Sequence, residues 1–156
     1  MSNQFLFVYG ILRRDTNSEM YHLLARHADF VGEGTFQGKL YRIDYYPGVV
    51  PTMDKRDRVF GEVYRLLEPD LVLPLLDQYE ECGPGFSDPT EYVRRIEKIL
   101  LRSGRIMSAW VYVYNRPTDN FDIIESGDFL HSRTIKENSR TRLSTDTEDD
   151  AAESLP

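Results

Sequence analysis

A glutamate in line with an apolar stripe is the first residue here whose position suggests chemistry. In LVLPLLDQYEE, residues 71–81, Glu80 follows Leu76 by four positions and Leu73 by seven. On a helix these three share a face. A carboxyl group at the edge of a core is disfavoured in its charged form, which raises its pKa. A general acid/base working near neutral pH needs that property. Asp77 and Glu81 point elsewhere on the helix and read as solvated. The competing reading is that the helix frays by residue 79 and exposes all three carboxylates.

A second chemical feature lies in FLFVYGILRR, residues 5–14. An unbroken aromatic and branched run reads as a buried strand that ends at Tyr9-Gly10. Backbone N–H groups in the loop after such a strand could cradle a carboxylate or an oxyanion. A tight turn using glycine's tolerance of positive φ is the commoner reason for such a glycine. Arg13 and Arg14 read as solvated loop residues able to steer anions. Further along, Arg94 and Arg95 are adjacent on a strand, so only one can face inward, as an ion-pair partner or a substrate contact.

Other chemistries lack their residues. There is no phosphate-binding glycine loop with a lysine, no paired-cysteine metal site and no Gly-x-Ser-x-Gly turn. His22 and His27 have no compact His/Cys/Asp cluster around them, so neither a metal site nor a cofactor is expected. The net charge of -7 argues against a nucleic-acid partner, although DTEDDAAE near the C-terminus supplies much of it. No apolar run approaches the roughly 20 residues of a membrane span. The arginines follow the first apolar run, whereas a signal peptide places them before it. A single cysteine, Cys82, excludes an intramolecular disulfide. A cytoplasmic protein is expected.

The elements that must position Glu80 and Gly10 can be read from local pattern. A strand over 5–9 leads through a loop to an N-cap at Asn17 or Ser18 and a helix over 19–27. Glycines 32, 34 and 38 suggest a strongly bent strand over 30–41, as at the corner of a small barrel. DYYPGVVPT, 44–52, reads as a turn-rich excursion. A strand over 59–67 precedes the Glu80 helix, with Asp70 as N-cap and Pro74 near its first turn. RSGR joins strands 92–101 and 106–114 into a hairpin. The pattern is α+β around a curved sheet or small barrel. It predicts a domain over 1–133 and a disordered acidic tail over 134–156.

Taken in order, five segments resemble the γ-glutamylcyclotransferase-like proteins. They are VYGILRR (8–14), GEVYRL (61–66), LLDQYEE (75–81), EYVRRIEKI (91–99), and AWVYVY (109–114) with SGDF (126–129). The resemblance implies a small mixed β-barrel with flanking helices and a cavity at one end. It implies cyclisation of a small-molecule γ-glutamyl substrate to 5-oxoproline, with release of an amine or amino acid. Glu80 would be the general acid/base. Tyr9, Gly10, Ile11 and Leu12 would line the γ-glutamyl pocket, and Tyr92 and Tyr112 would contribute hydroxyls. On this reading the strand stops at Gly10 because substrate approaches the backbone there. Ile11 departs from the family's usual Thr or Ser. That departure keeps a second reading open: a non-catalytic barrel that binds a small carboxylate or a protein partner. The acidic tail alone would support a third, docking onto a basic partner. The insertion CGPGFSDPTE (82–91) reads as a flexible surface loop beside the substrate entrance.

Overall fold

The computed structural model describes residues 4–16, 18–80 and 89–131. Its strands are β1 (Phe5–Val8), β2 (Ala28–Phe36), β3 (Gly38–Arg42), β4 (Pro47–Pro51), β5 (Val59–Leu66), β6 (Tyr92–Leu101), β7 (Ile106–Tyr114) and β8 (Asp122–Ile123). Helices are a 3-10 turn at Arg14–Thr16, α1 (Glu19–Arg26) and α2 (Pro69–Tyr79).

Hydrogen bonding runs β1–β5–β2–β6–β7, and a parallel contact of β7 with β1 at Leu6 and Trp110 closes the ring. The result is a closed five-stranded mixed barrel, with β4, β3 and β8 continuing outward from β7. Alternation along each strand separates two apolar layers. Phe7, Val63, Ile99, Ala109 and Val111 point inward and fill the barrel with Phe36 and Phe129. Leu6, Val8, Tyr64, Leu66 and Tyr112 point outward and are covered by Leu24 of α1 and Val72, Leu73 and Leu76 of α2.

Bending of β2 comes from a bulge between Phe30 and Gly32, where its register against β5 slips. The single bent strand read over 30–41 is instead two strands, β2 and β3, which part at Gln37. The hairpin forms as read, with Gly104 at φ +98 in the turn. Ser18 caps α1, accepting the Tyr21 N–H at 3.0 Å; Asn17 lies outside the described residues, and the helix ends one residue early, with His27 as C-cap.

Two local readings change. The segment read as an excursion contains β4, antiparallel to β3 and touching β7 at Val49 and Val113. Its prolines stand at its two ends, where a missing N–H costs least. Asp70 is not the N-cap of α2. Glu68 holds that position without a side-chain capping bond, Pro69 opens the helix, and Pro74 lies inside it. The acidic tail, Cys82 and most of the 82–91 insertion lie outside the described residues. Among the described helices, none is long and apolar enough to cross a membrane.

Candidate active site

A cavity of about 340 Å³ opens at the carboxyl ends of β1 and β7. All seven residues singled out in the sequence line it: Tyr9, Gly10, Ile11, Leu12, Glu80, Tyr92 and Tyr112. They come from β1 and its loop, the end of α2, β6 and β7, so only the closed barrel brings them together.

Glu80 is the residue immediately after α2, and its backbone N–H still reaches the Leu76 carbonyl at 2.8 Å. The helix does end at Tyr79, yet the side chain is not released to solvent. It enters the cavity, where no described residue donates a hydrogen bond to its carboxyl group. Burial raises its pKa to about 8, and the charge of Glu91 adds to the rise.

Asp77 was read as solvated, and the structure corrects this. It is half-buried against the barrel wall, where Arg94 binds both of its oxygens at 2.7 and 3.0 Å. Tyr112 donates its hydroxyl to the same carboxylate at 2.7 Å. Arg94 also lies over the Trp110 ring, 4.2 Å from its centroid. It faces α2 on the outside of the barrel, while Arg95 is exposed. A planar guanidinium suits this fork-and-stack arrangement.

The tyrosine hydroxyls are committed to protein acceptors. Tyr9 donates to the Tyr112 carbonyl and Tyr92 to the Pro47 carbonyl, each at 2.6 Å. Their protons, with that of Tyr112, are therefore not free for a ligand, whereas each oxygen can still accept. Burial raises all three pKa values, which keeps the groups neutral.

In the loop after β1, no hydrogen bond among the described residues uses the N–H of Gly10, Ile11 or Leu12. Their carbonyls explain the orientation. The Gly10 carbonyl accepts the Arg13 N–H at 3.0 Å. The Ile11 carbonyl has Thr16 Oγ1 and Ser18 Oγ each 2.6 Å away. A trans peptide directs its N–H opposite to its carbonyl, so the Ile11 and Leu12 N–H groups point away from these contacts. Ile11 itself packs partly against the barrel core. At Gly10 the turn is made without positive φ, and an added Cβ would meet the Pro47 ring at 2.8 Å. Pro47 packed against it accounts for the missing side chain, and no left-handed turn is involved.

Arg13 is also not a solvated residue. It is 8% exposed and Glu62 is 1% exposed. Arg13 Nε lies 3.4 Å from Glu62, and its Nη1 bonds Asp128 at 2.9 Å. Glu62 further accepts the Arg14 N–H and the Tyr64 hydroxyl, each at 3.0 Å. A carboxylate this deep needs such a full set of donors. The Arg14 guanidinium rests over the Phe30 ring at 4.2 Å. Neither arginine lines the cavity. The pair ties the β1 loop to β5 and to the SGDF segment.

Sequence reading missed the outer wall: Asp44, Tyr45, Tyr46, Tyr79 and Glu91. Tyr46 donates to Glu91 through a short hydrogen bond, and Tyr45 meets Tyr46 edge-on with centroids 5.0 Å apart. DYYPG carried a visible signal, three hydrogen-bonding side chains in a row, but a turn signal obscured it. Among the described residues, no three His, Cys, Asp or Glu side chains are grouped to hold a metal ion.

Comparison with known proteins points to one family. The family model described as gamma-glutamyl cyclotransferase, AIG2-like, matches residues 6–131. The gamma-glutamylcyclotransferase family protein YtfP of Escherichia coli K12 is 36% identical over 126 residues, covering 80% of this chain and 95% of YtfP. Protein MJ1514 of Methanocaldococcus jannaschii is 33% identical over 133 residues, 83% of this chain and 98% of its own. Among solved structures, the E. coli YtfP solution structure superposes with a TM-score of 0.56 at 34% identity, covering 83% of this chain and 98% of its own. Bacillus subtilis YkqA superposes with a TM-score of 0.67 at 27% identity over 87% of this chain, which spans 43% of YkqA.

Proposed function

Since this chain belongs to the AIG2-like gamma-glutamyl cyclotransferase family, we propose that it cyclises a γ-glutamyl amide to 5-oxoproline and releases the amine, with Glu80 as general acid/base. The observation that carries this reading is the Glu80 carboxyl group. It stands in the cavity with no donor among the described residues, beside a loop whose three N–H groups have no acceptor among them.

The reaction needs no protein nucleophile. The α-nitrogen of the γ-glutamyl group attacks its own γ-carbonyl carbon. That carbon–nitrogen bond forms, and the bond from the γ-carbon to the amide nitrogen breaks. Starting from the α-ammonium, two protons leave the α-nitrogen and two arrive on the departing amine, so water is not consumed. Glu80 moves them: ionised, it takes a proton from the ammonium; protonated, it delivers one to the leaving nitrogen. A carboxyl group titrating at about 8 can do both near neutrality.

The N–H groups of residues 10–12 suit a negative charge, either the substrate α-carboxylate or the oxyanion developing on the γ-carbonyl. Tyr9, Tyr92 and Tyr112 supply a neutral floor whose oxygens can accept from the α-nitrogen. Holding the flexible chain folded for attack contributes part of an effect that reaches about 7–11 kcal/mol in favourable cases. Ile11 offers no side-chain hydroxyl, and this reading asks only its backbone to bind. The test is 5-oxoproline release from a panel of γ-glutamyl compounds, with Glu80→Gln beside the wild type.

A further inference from the structure

Resting on the cyclisation reading, we infer that the outer half of the cavity selects the leaving group by charge, favouring an amine that bears a distal ammonium and rejecting one that bears a carboxylate. The cavity has two unlike halves. Its floor is neutral and buried, built from Phe7, Tyr9, Tyr92 and Tyr112. Its rim is acidic and aromatic, with Asp44 exposed, Tyr45 69% exposed and Tyr79 39% exposed beside Tyr46 and Glu91.

Counting charges across a bound γ-glutamyl amide leads to the assignment. The γ-glutamyl half brings one ammonium, whose proton passes to Glu80, and one carboxylate, which the N–H groups of residues 10–12, unused by any described residue, suit. Asp44 and Glu91 then remain for the amine half. No Lys, Arg or His is among the described residues that line the cavity. The nearby cation Arg116 points its Nε to the Pro89 carbonyl at 3.3 Å and is not a lining residue.

A carboxylate on the leaving group would therefore meet two like charges and no basic partner among the described lining residues. An ammonium would meet two carboxylates and three tyrosine rings, whose faces attract cations. Tyr46 holds Glu91 at the rim by donating its hydroxyl to that carboxylate. After cyclisation the product amine leaves as an ammonium past the same rim.

Three γ-glutamyl amides with the same four-carbon amine test this, ending in a methyl, an ammonium or a carboxylate. For each, kcat/KM from 5-oxoproline release and Kd from calorimetry are measured at low ionic strength. The expected order is cationic, neutral, anionic, with at least about tenfold between the extremes and a smaller ratio at high salt. Asp44→Asn and Glu91→Gln should each narrow that ratio. Equal values, or the anionic amide best, would overturn the inference while leaving cyclisation intact. Binding in the expected order without 5-oxoproline would overturn cyclisation and uphold charge selection. Neither turnover nor binding of any of the three would overturn both.

Discussion

Asp77 and Arg94 form a two-pronged ion pair that joins the last turn of α2 to the start of β6. Glu80 is three residues beyond Asp77, and Tyr112, which lines the cavity, bonds the same carboxylate. The pair therefore fixes the direction in which the chain delivers Glu80.

Asp77→Asn should lower kcat more than it raises KM, because it leaves the loop at residues 10–12 untouched and loosens Glu80, the proposed proton-transfer group. Arg94→Lys should recover only part of the loss of Arg94→Ala, since it keeps the charge but not the fork or the stack on Trp110. Thermal melts should show about 1–3 kcal/mol of destabilisation for Asp77→Asn, as for a half-buried charged pair losing one partner.

The pH profile of kcat/KM should rise through about 8 as Glu80 loses its proton. Glu91 raises that value through its negative charge. Glu91→Gln removes the charge, so the rising limb should move to lower pH. An unmoved limb would mean that another group titrates there.

Stability should follow the same group with a definite sign. Glu80 holds its proton more tightly folded than unfolded, since its pKa is raised from 4.5 to about 8. Its contribution is fully present below the unfolded value and is lost as pH rises through the folded one. At about 1.4 kcal/mol per pKa unit, the loss amounts to a few kcal/mol. Glu80→Gln should therefore raise Tm relative to wild type at pH 9 and change it little at pH 4, measured by calorimetry.

Under the proposed cyclisation, Thr16 and Ser18 should matter without lining the cavity. They hold the Ile11 carbonyl and so aim the Leu12 N–H. Thr16→Val should raise KM or lower kcat by about tenfold, and Thr16→Ser should restore most of it, with the pH profile unmoved. Equal losses in both variants would assign the residue a merely structural role.

How much of this was legible depends on how local each signal is. The hairpin and the first strand were readable because turn glycines and apolar runs act within a few residues, while the segment read as one bent strand divides into β2 and β3 at Gln37. Glu80 was found through the apolar stripe of its helix, although the final placement comes from the residue just past the helix end. Asp77 was misread because its partners are 17 and 35 residues away on other strands. Arg13 was misread for the same reason, as Glu62 and Asp128 reach it only when the barrel closes. Gly10 shows the limit most plainly. Its need for a missing side chain comes from Pro47, in a segment whose own strand was hidden by its prolines. The acidic rim joins residues 44–46 to residue 91, and no short window contains both.

The central claim concerns Glu80, and one measurement reaches it most directly. Wild type and Glu80→Gln, each shown to be folded by its melt, are incubated with the preferred γ-glutamyl amide while 5-oxoproline and free amine are followed by NMR. The wild type should release the two in equal amounts, and the variant should be at least about a hundredfold slower, the size of effect a general acid/base supplies. A Glu80→Gln protein that keeps most of the rate, or a wild type that releases neither product, would contradict the account.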